Sequence, residues 1–528
     1  MKQFEAIAAT IHDLQDGDMK QVSVGDTDVL LAKVDGTFYA VGAYCSHYQA
    51  PLAEGVLKGD RIVCPWHNAC FNVTTGDQQE PPGLDSLCRY AVRVEGEQVI
   101  VGVPEQAATH RNPPMAQYDP AADGRTFIIL GAGAAGAHAA ETLRVAGYQG
   151  RIVMVTQDDR LPYDRTWLSK DFFTGKVSTE QMPLRSPEFY QAHQIETLLN
   201  KQAVKVDAIA KQITFADGDT LTYDALLVAT GGKPRQLDVP GKALQNVFTL
   251  RSFADTERIL AAAQQASRAV VIGSSFIGME AAAGLTQHDV AVTVVSPSPV
   301  PFKKILGDEI GQVFQQVHEE NGVSFRPGRK VTRIEGHDTV EAVVLDNGDR
   351  LEADLVVVGI GVQPATEFLA GVDLHDDRGV VVNEYLNAAD GLYAAGDIAR
   401  YPDWRTGETT RVEHWRIAAQ QGRVAAYNMV GQPTPFRGLP IFWTMQFQFP
   451  LRYVGHAEQW DDIIFNGDLQ TREFIAFYIK DNQVLAAASS QRDTETAAIS
   501  ELMRLNQMPS VEALRDRSLD LVKQLAQG

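Results

Sequence analysis

The sequence predicts a multidomain protein in which an all-β domain is followed by two α/β domains. Its 528 residues are too many for one hydrophobic core, and a typical domain of about 150 residues suggests three or four domains. The N-terminal part contains short segments in which apolar and polar residues alternate, as they do in strands. Farther along, an apolar segment runs twice into a glycine-containing turn and then into small residues, which is the pattern of a strand followed by a helix in an α/β domain.

Composition and charge narrow the class of protein. Hydrophobic residues make up 45% of the chain, charged residues make up 22%, and the formal net charge is −20. So negative a protein is repelled by nucleic acid and by anionic membranes, and neither is expected as a partner. No apolar run is long enough to cross a bilayer, and the N-terminal residues resemble neither a secretory signal nor a transit peptide. We therefore expect a cytoplasmic protein without a membrane span.

Residues 1–103 carry the strand signals and four potential metal ligands. Alternating segments cover residues 21–24, 28–34, 38–41 and 91–103, and Asp35-Gly36 predicts a hairpin turn. The ligands are Cys45, His47, Cys64 and His67, and sixteen residues lie between the two Cys-His pairs. This is the spacing of a Rieske [2Fe-2S] site, in which two thiolates bind one iron and two imidazoles bind the other. Zinc uses the same residue types, but the one-residue gap in the first pair departs from the usual zinc spacings.

The next segment, residues 104–124, is rich in Pro and Ala and has no apolar period. It is predicted to be a linker, long enough to let the β domain move relative to the rest of the chain.

The first glycine turn follows the apolar segment at residues 126–130. In this turn Gly131 makes the bend, Gly133 lets a pyrophosphate approach the backbone, and Gly136 lets helix and strand pack closely, with Ala135 between the last two. An acidic residue that binds the ribose is expected about 20 residues later. Asp158 lies 22 residues after Gly136, behind a second apolar segment. The pattern predicts a bound adenine dinucleotide, whereas a glycine turn without a ligand is the alternative.

Residues 162–165 (PYDR) and 168–170 (LSK) then resemble the flavoprotein superfamily of pyridine-nucleotide oxidoreductases. Within it they are similar to the branch that contains oxygenase-coupled ferredoxin reductases and apoptosis-inducing factor. The resemblance implies that the dinucleotide is FAD, that Arg165 contacts it and that Lys170 lies beside the flavin ring. A lysine there would stabilise negative charge on the reduced ring. A solvated surface lysine is the alternative.

Several later segments resemble the same family. The resemblance implies an FAD domain at residues 125–245 and 363–432, with Gly361 at the return from the inserted domain. It also implies further FAD contacts, which are Ala229, Thr230, Gly231, Gly396, Asp397, Glu413, His414 and Trp415. Because hydride transfer to a flavin needs no side-chain acid, His414 is interpreted as a packing residue. No cysteine follows Cys88, which excludes dithiol chemistry at the flavin.

A second glycine turn lies in the predicted NAD(P) domain, residues 246–362. It contains Gly273, Ser275 and Gly278, with serine at the position of the middle glycine. By resemblance, Phe276 and Glu280 face the flavin from the nicotinamide side, and Glu280 is able to pair with Lys170. The alternatives are a core aromatic residue and an acid on the helix surface.

The choice between NADH and NADPH depends on the end of the next strand. An acid there binds the ribose of NAD, and arginine accommodates the phosphate of NADP. The strand ends on Ser296, so neither signal is present, while Lys303 and Lys304 either serve a phosphate or are solvated. The absence of a bidentate phosphate ligand slightly favours NADH.

The C-terminal part, residues 433–528, resembles the α+β domain of the same reductases. Its last stretch, residues 511–526, is predicted to be one amphipathic helix. The fold class expected for the whole chain is therefore an all-β Rieske domain, two Rossmann-like domains for FAD and NAD(P), and a C-terminal α+β domain.

The combined motifs predict an NAD(P)H-dependent electron-transfer reductase of ferredoxin reductase type. NADH or NADPH supplies two electrons, FAD stores them, and the Rieske cluster accepts them singly. The expected partner is an external one-electron acceptor protein, which is an oxygenase, a cytochrome or another carrier. An alternative is a redox-sensing protein, similar to apoptosis-inducing factor, that oxidises NADH slowly and changes partners on flavin reduction. In a third hypothesis the Rieske domain only docks the protein to a partner.

Overall fold

The N-terminal domain consists of two antiparallel sheets. In the computed structural model, which describes residues 3–516 and 518–527, the larger sheet has the spatial order Gln3–Thr10, Gln98–Pro104, Arg89–Glu95, Thr37–Gly42, Thr27–Val34 and Met19–Val24. The smaller sheet consists of Val56–Lys58, Arg61–Val63, Cys70–Asn72 and Gln78–Glu80. The turn predicted at Asp35-Gly36 is confirmed, with φ of 49° and 75°. The segment predicted as continuous, 91–103, is a hairpin because the chain reverses at Gly96, whose φ is 60°.

The segment between the β domain and the rest of the chain contacts both. His110–Arg111 pairs with the short strand Ser86–Leu87 of the β domain. Farther on, the backbone N–H of Ala116 donates to the carbonyl of Arg144 at 2.8 Å. The segment therefore forms backbone hydrogen bonds with both neighbouring domains. Its Pro- and Ala-rich composition did not predict these contacts.

The first α/β domain is organised around the strand Thr126–Leu130. Its last four residues are fully buried, as expected of a central strand covered by helices on both faces. The spatial order of the sheet is Ile195–Leu198, Arg151–Val155, Thr126–Leu130, Ala225–Val228, Leu392–Ala394 and Asn387–Ala389, parallel except for the last pair. The helices Ala134–Val145 and Trp415–Met429 pack against each other. Alanines and glycines on both helices allow this close approach.

The second α/β domain is inserted into the first. Its parallel sheet has the order Val247–Thr249, Leu355–Val358, Arg268–Ile272, Ala291–Ser296 and Ser324–Pro327, with helices Phe253–Ala263, Phe276–Gln287 and Lys303–Glu320. A three-stranded antiparallel sheet, Val331–Gly336, Val340–Leu345 and Arg350–Glu352, is attached to it. The two connections between the α/β domains pair as strands Gly232–Pro234 and Val362–Pro364.

The C-terminal domain is α+β, as predicted. Its antiparallel sheet has the order Ile441–Gln446, Phe449–Gly455, Gln483–Ser490, Glu473–Lys480 and Asp462–Asp468, and the helix Asp493–Arg504 packs on it. The single terminal helix predicted at 511–526 is wrong, because the structure has two short helices, Val511–Leu514 and Leu521–Gln527. Between them, the side chain of Ser518 donates to Asp516, so a local turn replaces the helical bonds. Over the described ranges, no helix has both the length and the apolarity needed to cross a membrane.

Candidate functional site

The two loops that carry the predicted iron ligands have the same local geometry. In each loop the cysteine amide donates to the carbonyl five residues later, at 2.9 Å. The residue four after the cysteine, Gln49 or Asn68, is in the left-handed region with φ of 59° or 56°. Both Cys45 and Cys64 are buried. The loops are therefore two similar tight turns that direct their ligands toward each other.

The four predicted ligands come together as two pairs. The thiols of Cys45 and Cys64 are within hydrogen-bond reach of each other, and the Nδ1 atoms of His47 and His67 are 3.1 Å apart. The backbone N–H of His47 donates to the sulfur of Cys45 at 3.5 Å, while the neighbouring Cys64 thiol and burial raise the pKa of Cys45. Burial lowers the pKa of His47 to about 3, so its ring is neutral and able to bind a metal.

This donor set fits a two-iron cluster with one pair of ligands on each iron. The pairing therefore favours the Rieske interpretation over a single zinc ion.

The histidine pair faces the reductase part of the chain. Tyr48 stacks on His47 with ring centroids 3.6 Å apart and on Trp167 with centroids 5.3 Å apart. Its hydroxyl donates to Asp164 at 2.7 Å. On the other side, the ring of Trp443 lies 4.3 Å from that of His67, centroid to centroid. Trp443 of the C-terminal domain thus contacts the predicted cluster ligands directly, whereas Trp167 reaches them only through Tyr48.

A cavity of about 800 Å³ lies between the two α/β domains and the C-terminal domain. Most of the site residues that the sequence predicts line it. They are Gly131, Gly133, Ala135, Asp158, Arg165, Lys170, Ala229, Thr230, Gly231, Ser275, Phe276, Glu280, Gly361, Gly396, Asp397, Glu413, His414 and Trp415.

Three predicted glycines, Gly136, Gly273 and Gly278, do not line the cavity but shape its turns. A Cβ at Gly136 would lie 1.8 Å from the carbonyl oxygen of Gly131, and a Cβ at Gly278 would lie 2.2 Å from that of Gly273. Gly273 itself has a φ of 110°. These positions therefore require glycine for packing and backbone conformation.

The middle position of each turn is the N-cap of the helix that follows. Gly133 is the N-cap of its helix and has a φ of −83°, and Ser275 is the N-cap of the corresponding helix with a φ of −100°. Both conformations are open to any residue, which explains why serine is tolerated in the second turn. Neither helix has a side-chain cap. Their first N–H groups are thus available to the pyrophosphate of a dinucleotide, so both turns fit the cofactors expected from sequence.

The predicted pair of Lys170 and Glu280 forms within the cavity wall. The ammonium of Lys170 donates to Glu280 at 2.9 Å, and Glu280 is only 4% exposed. Ser169 also donates to this carboxylate, and Thr444 donates to its other oxygen at 2.6 Å. Because every oxygen of the buried carboxylate is satisfied, the charge of Lys170 is held in a fixed place. The alternatives, a solvated lysine and an acid on the helix surface, do not agree with this geometry.

Two other predicted carboxylates are engaged by arginines. Asp158 accepts a hydrogen bond from Arg165, which was itself predicted to contact the dinucleotide. Asp397 pairs with Arg251 at 2.6 Å. The predicted ribose acid is therefore part of an ion pair at the cavity wall.

The predicted residues on the flavin side of the cavity include one more ion pair. Glu413 pairs with Arg411 at 2.6 Å. His414 has its pKa lowered to about 4 by burial and lies with its ring centroid 4.5 Å from that of Phe442. A neutral, packed ring agrees with the interpretation of His414 as a packing residue. Phe276 also packs between aromatic rings while it lines the cavity, so its two interpretations are compatible.

Sequence reasoning missed several residues at these sites. Tyr48 and Trp443 contact the iron ligands, Trp167 stacks on Tyr48, and Thr444 donates to Glu280. The sequence pointed to Trp443 and Thr444 only indirectly, because they lie in a segment similar to the family's C-terminal domain. Their role depends on how separate domains pack, which no local pattern encodes.

Comparison with protein families decides the assignment. The model of the pyridine nucleotide-disulphide oxidoreductase family matches residues 125–422, that of the Rieske [2Fe-2S] domain matches 5–92, and that of the reductase C-terminal domain matches 441–525. The chain is a Rieske-containing member of the pyridine nucleotide oxidoreductase family. It is an NAD(P)H-dependent FAD oxidoreductase of ferredoxin reductase type, with FAD and a Rieske [2Fe-2S] cluster as its cofactors.

Individual relatives fall into two groups. Apoptosis-inducing factor 3 of Homo sapiens is 41% identical over 98% of this chain and 86% of its own length. Putidaredoxin reductase CamA of Pseudomonas putida is 33% identical over 70% of this chain and 89% of its own length. Among solved structures, the covalent putidaredoxin reductase–putidaredoxin complex matches with 31% identity and a TM-score of 0.72, covering 76% of this chain and 98% of that one. The similarity to apoptosis-inducing factor 3 extends over the Rieske domain as well.

Proposed function

We propose that the protein oxidises NAD(P)H and passes the electrons through FAD to its own Rieske cluster, and from there to an external acceptor protein. FAD accepts two electrons as a hydride and releases them singly, which suits an iron–sulfur cluster that accepts one at a time. The residues that line the cavity would hold FAD and the nicotinamide, and Cys45, His47, Cys64 and His67 would hold the cluster.

The observation that carries the proposal is the position of Trp443. Its side chain lines the cavity that contains the predicted FAD residues, and it contacts His67 with ring centroids 4.3 Å apart. It lies 5.9 Å from the ring of His47 as well. Electron transfer slows steeply with distance through protein. One aromatic side chain that joins the cavity to the cluster ligands supports transfer within a single chain.

The β domain also makes buried contacts with the FAD domain and the C-terminal domain. Arg416, which is 2% exposed, pairs with Glu80 of the β domain at 2.6 Å and donates to the carbonyl of Asn68 at 2.9 Å. Val56 and Val63 of the β domain belong to the same hydrophobic cluster as the C-terminal domain. Burying both apolar and charged groups makes the interface specific. The cluster ligands are thus held next to Trp443.

The charged groups in the cavity are suited to hydride transfer. The ammonium of Lys170, fixed by Glu280, would stabilise negative charge that develops on the flavin ring. No side-chain acid or base is needed for the hydride itself, which agrees with a neutral His414. These residues therefore act by electrostatics and positioning.

A second candidate function is a redox-sensing protein that is reduced slowly and changes partners. It is supported by the 41% identity to apoptosis-inducing factor 3 along 98% of the chain. This function does not require electrons to leave the cluster for an acceptor. It predicts a protein that stalls after one reduction.

Steady-state turnover with an artificial one-electron acceptor separates the candidates. The proposal predicts continuous NAD(P)H-dependent reduction of the acceptor by the wild type, and its loss in His67→Ala, which lacks one cluster ligand. Flavin reduction in the variant should persist. Reduction of the wild type followed by stalling supports the sensor. An unchanged rate in His67→Ala means that the Rieske domain serves only for docking.

A similar reductase suggests the class of acceptor. In the putidaredoxin reductase–putidaredoxin complex, a similar reductase is bound to a second protein, putidaredoxin. We propose a carrier, cytochrome or oxygenase as the acceptor here, and the cytoplasm as the compartment.

A further inference from the structure

The end of the strand Ala291–Ser296 carries no carboxylate. In a domain of this fold, the residue that ends the second strand recognises the adenosine ribose, and an acid there selects the 2′-hydroxyl of NAD. Here the residue is Ser296, and the segment that follows it, residues 297–302, contains no acidic side chain. A carboxylate that would repel a 2′-phosphate is therefore missing from this position.

Hydroxyl groups take its place. Ser296 is 7% exposed, and its oxygen accepts hydrogen bonds from the hydroxyl of Ser274 at 2.8 Å and from the backbone N–H of Ser298 at 3.1 Å. Ser274 belongs to the second glycine turn. A hydroxyl oxygen that accepts two bonds still has its own proton to donate. Ser296 is therefore equipped to donate to an anionic oxygen at the ribose end of the site.

Three cations lie on the segment next to the same strand end. The neighbouring parallel strand, Ser324–Pro327, places Arg326 beside Val295. The chain then turns so that the backbone N–H of Arg329 donates to the carbonyl of Ser296 at 3.0 Å. Lys330 follows directly. The turn that contains Arg329 and Lys330 thus lies next to Ser296, the last residue of the strand.

These cations have no acidic partner. Arg326, Arg329 and Lys330 are exposed, and none of them forms an ion pair within the described ranges of the chain. By contrast, Arg333, which is three residues after Lys330, pairs with Glu335 at 2.8 Å. In a chain with a net charge of −20, three adjacent unpaired cations form a local site for an anion.

Lys303 and Lys304, which the sequence offered as phosphate ligands, do not lie at the Ser296 end of the site. Lys303 is bound by Asp308 at 2.6 Å, and Lys304 lines the central cavity beside the second glycine turn. The sequence favoured NADH because no arginine follows the strand Ala291–Ser296 directly. The arginines come instead from the adjacent strand, which only the fold brings to this position.

We infer that the second nucleotide domain prefers NADPH to NADH and that Ser296, Arg326 and Arg329 bind its 2′-phosphate. The inference rests on the proposed function for the use of a nicotinamide dinucleotide, and it adds which of the two is the substrate. Arginine and hydroxyl donors recognise a phosphate by charge-assisted hydrogen bonds that a ribose hydroxyl cannot make.

The test compares nucleotides that differ only in the 2′-phosphate. With the purified full-length holoprotein, calorimetry should show adenosine 2′,5′-bisphosphate binding at least about tenfold more tightly than 5′-AMP, or about 1.4 kcal/mol. Anaerobic flavin reduction should likewise be at least about tenfold more efficient with NADPH than with NADH. Equal binding of the two probes, or equal or better reduction by NADH, would overturn the inference.

Variants locate the selectivity. The double variant Arg326→Ser, Arg329→Ser should lose the preference for NADPH over NADH and for the bisphosphate over 5′-AMP. Ser296→Glu should shift the preference toward NADH. Arg333→Ser is the matched control, because it removes a nearby arginine that is already paired, and it should leave the preference intact. If the control loses the preference as well, the general surface charge is responsible and the assigned residues are wrong.

The two proposals fail in different ways. If neither nucleotide reduces the flavin, the proposed function fails, but the binding comparison still reports on the 2′-phosphate site. If both nucleotides reduce the flavin equally, the proposed function stands and the inference fails.

Discussion

The ring of Trp443 lies 4.3 Å from the ring of His67, centroid to centroid, although the two residues belong to different domains. Trp443 is in the C-terminal sheet and lines the cavity that FAD is expected to occupy. His67 is on one of the two cluster loops. The C-terminal domain therefore does more than complete the fold, since it provides the contact between the two predicted redox sites.

Trp443→Leu should separate flavin reduction from cluster reduction. We expect flavin reduction by NAD(P)H to keep its rate, while the cluster is reduced at least about tenfold more slowly, a barrier higher by about 1.4 kcal/mol. Rapid-mixing absorbance and freeze-quenched electron paramagnetic resonance measure the two steps. Met445→Leu, an exposed residue on the same strand, is the control. An unchanged rate of cluster reduction would show that Trp443 is not on the path.

Lys170→Met should slow the reduction of the flavin itself. The variant removes a fixed positive charge from the cavity wall, and loss of one such electrostatic contact costs about 100-fold in rate. Stopped-flow measurement of flavin bleaching tests this. Lys176→Met is the control, because Lys176 is exposed and makes only a distant contact of 3.9 Å with Asp171. Equal rates of flavin bleaching in Lys170→Met and Lys176→Met would show that Lys170 does not assist flavin reduction.

Two of the three glycines of the first turn, Gly133 and Gly136, should respond differently to alanine. In Gly136→Ala the new Cβ would lie 1.8 Å from the carbonyl oxygen of Gly131, so the fold should be destabilised and the melting temperature lowered. In Gly133→Ala the new Cβ meets nothing closer than 3.8 Å, so the apoprotein should melt normally but bind FAD more weakly. Melting curves of the apoprotein and the FAD content after reconstitution test both. A Gly133→Ala protein with full FAD affinity would contradict the assigned phosphate position.

Glu80 should make the stability of the docked β domain sensitive to acid. Burial raises its pKa, but Arg61 and Arg416 outweigh burial and hold the pKa at about 2, below its ordinary value of 4.5. A carboxyl group with a lowered pKa in the folded state stabilises that state fully above pH 4.5, and the contribution is lost as the pH falls toward 2. The wild type should therefore lose more stability on acidification than Glu80→Gln does.

Thermal unfolding as a function of pH measures this difference. At neutral pH, Glu80→Gln should cost about 2 kcal/mol, because it leaves Arg416 without its charged partner and leaves Arg61 with Glu501 alone, at a side chain that is 26% exposed. Asp77→Asn, which removes the exposed partner of Arg111, should cost less than about 1 kcal/mol. Identical pH profiles for the wild type and Glu80→Gln would rule out Glu80 as the acid-sensitive contact.

The sequence predicted those parts of the fold and site that depend on local patterns. Short motifs predicted the glycine turns and the iron ligands. The family resemblance predicted the Lys170–Glu280 pair. The packing of the β domain on the reductase was not predictable, because Arg416 and Glu80 lie far apart in the chain and neither has a motif. The same is true of Arg329, whose approach to Ser296 follows from strand order. The terminal helix was predicted too long because an apolar period does not reveal the turn at Asp516.

Anaerobic mixing of the oxidised holoprotein with NADPH, and separately with NADH, tests the central claim most directly. Flavin bleaching is followed by absorbance and the reduced cluster by electron paramagnetic resonance, at a protein concentration low enough to exclude transfer between molecules. The account predicts that the flavin bleaches first and that the Rieske signal then appears at a rate independent of protein concentration. A flavin that bleaches while the cluster stays oxidised would contradict it.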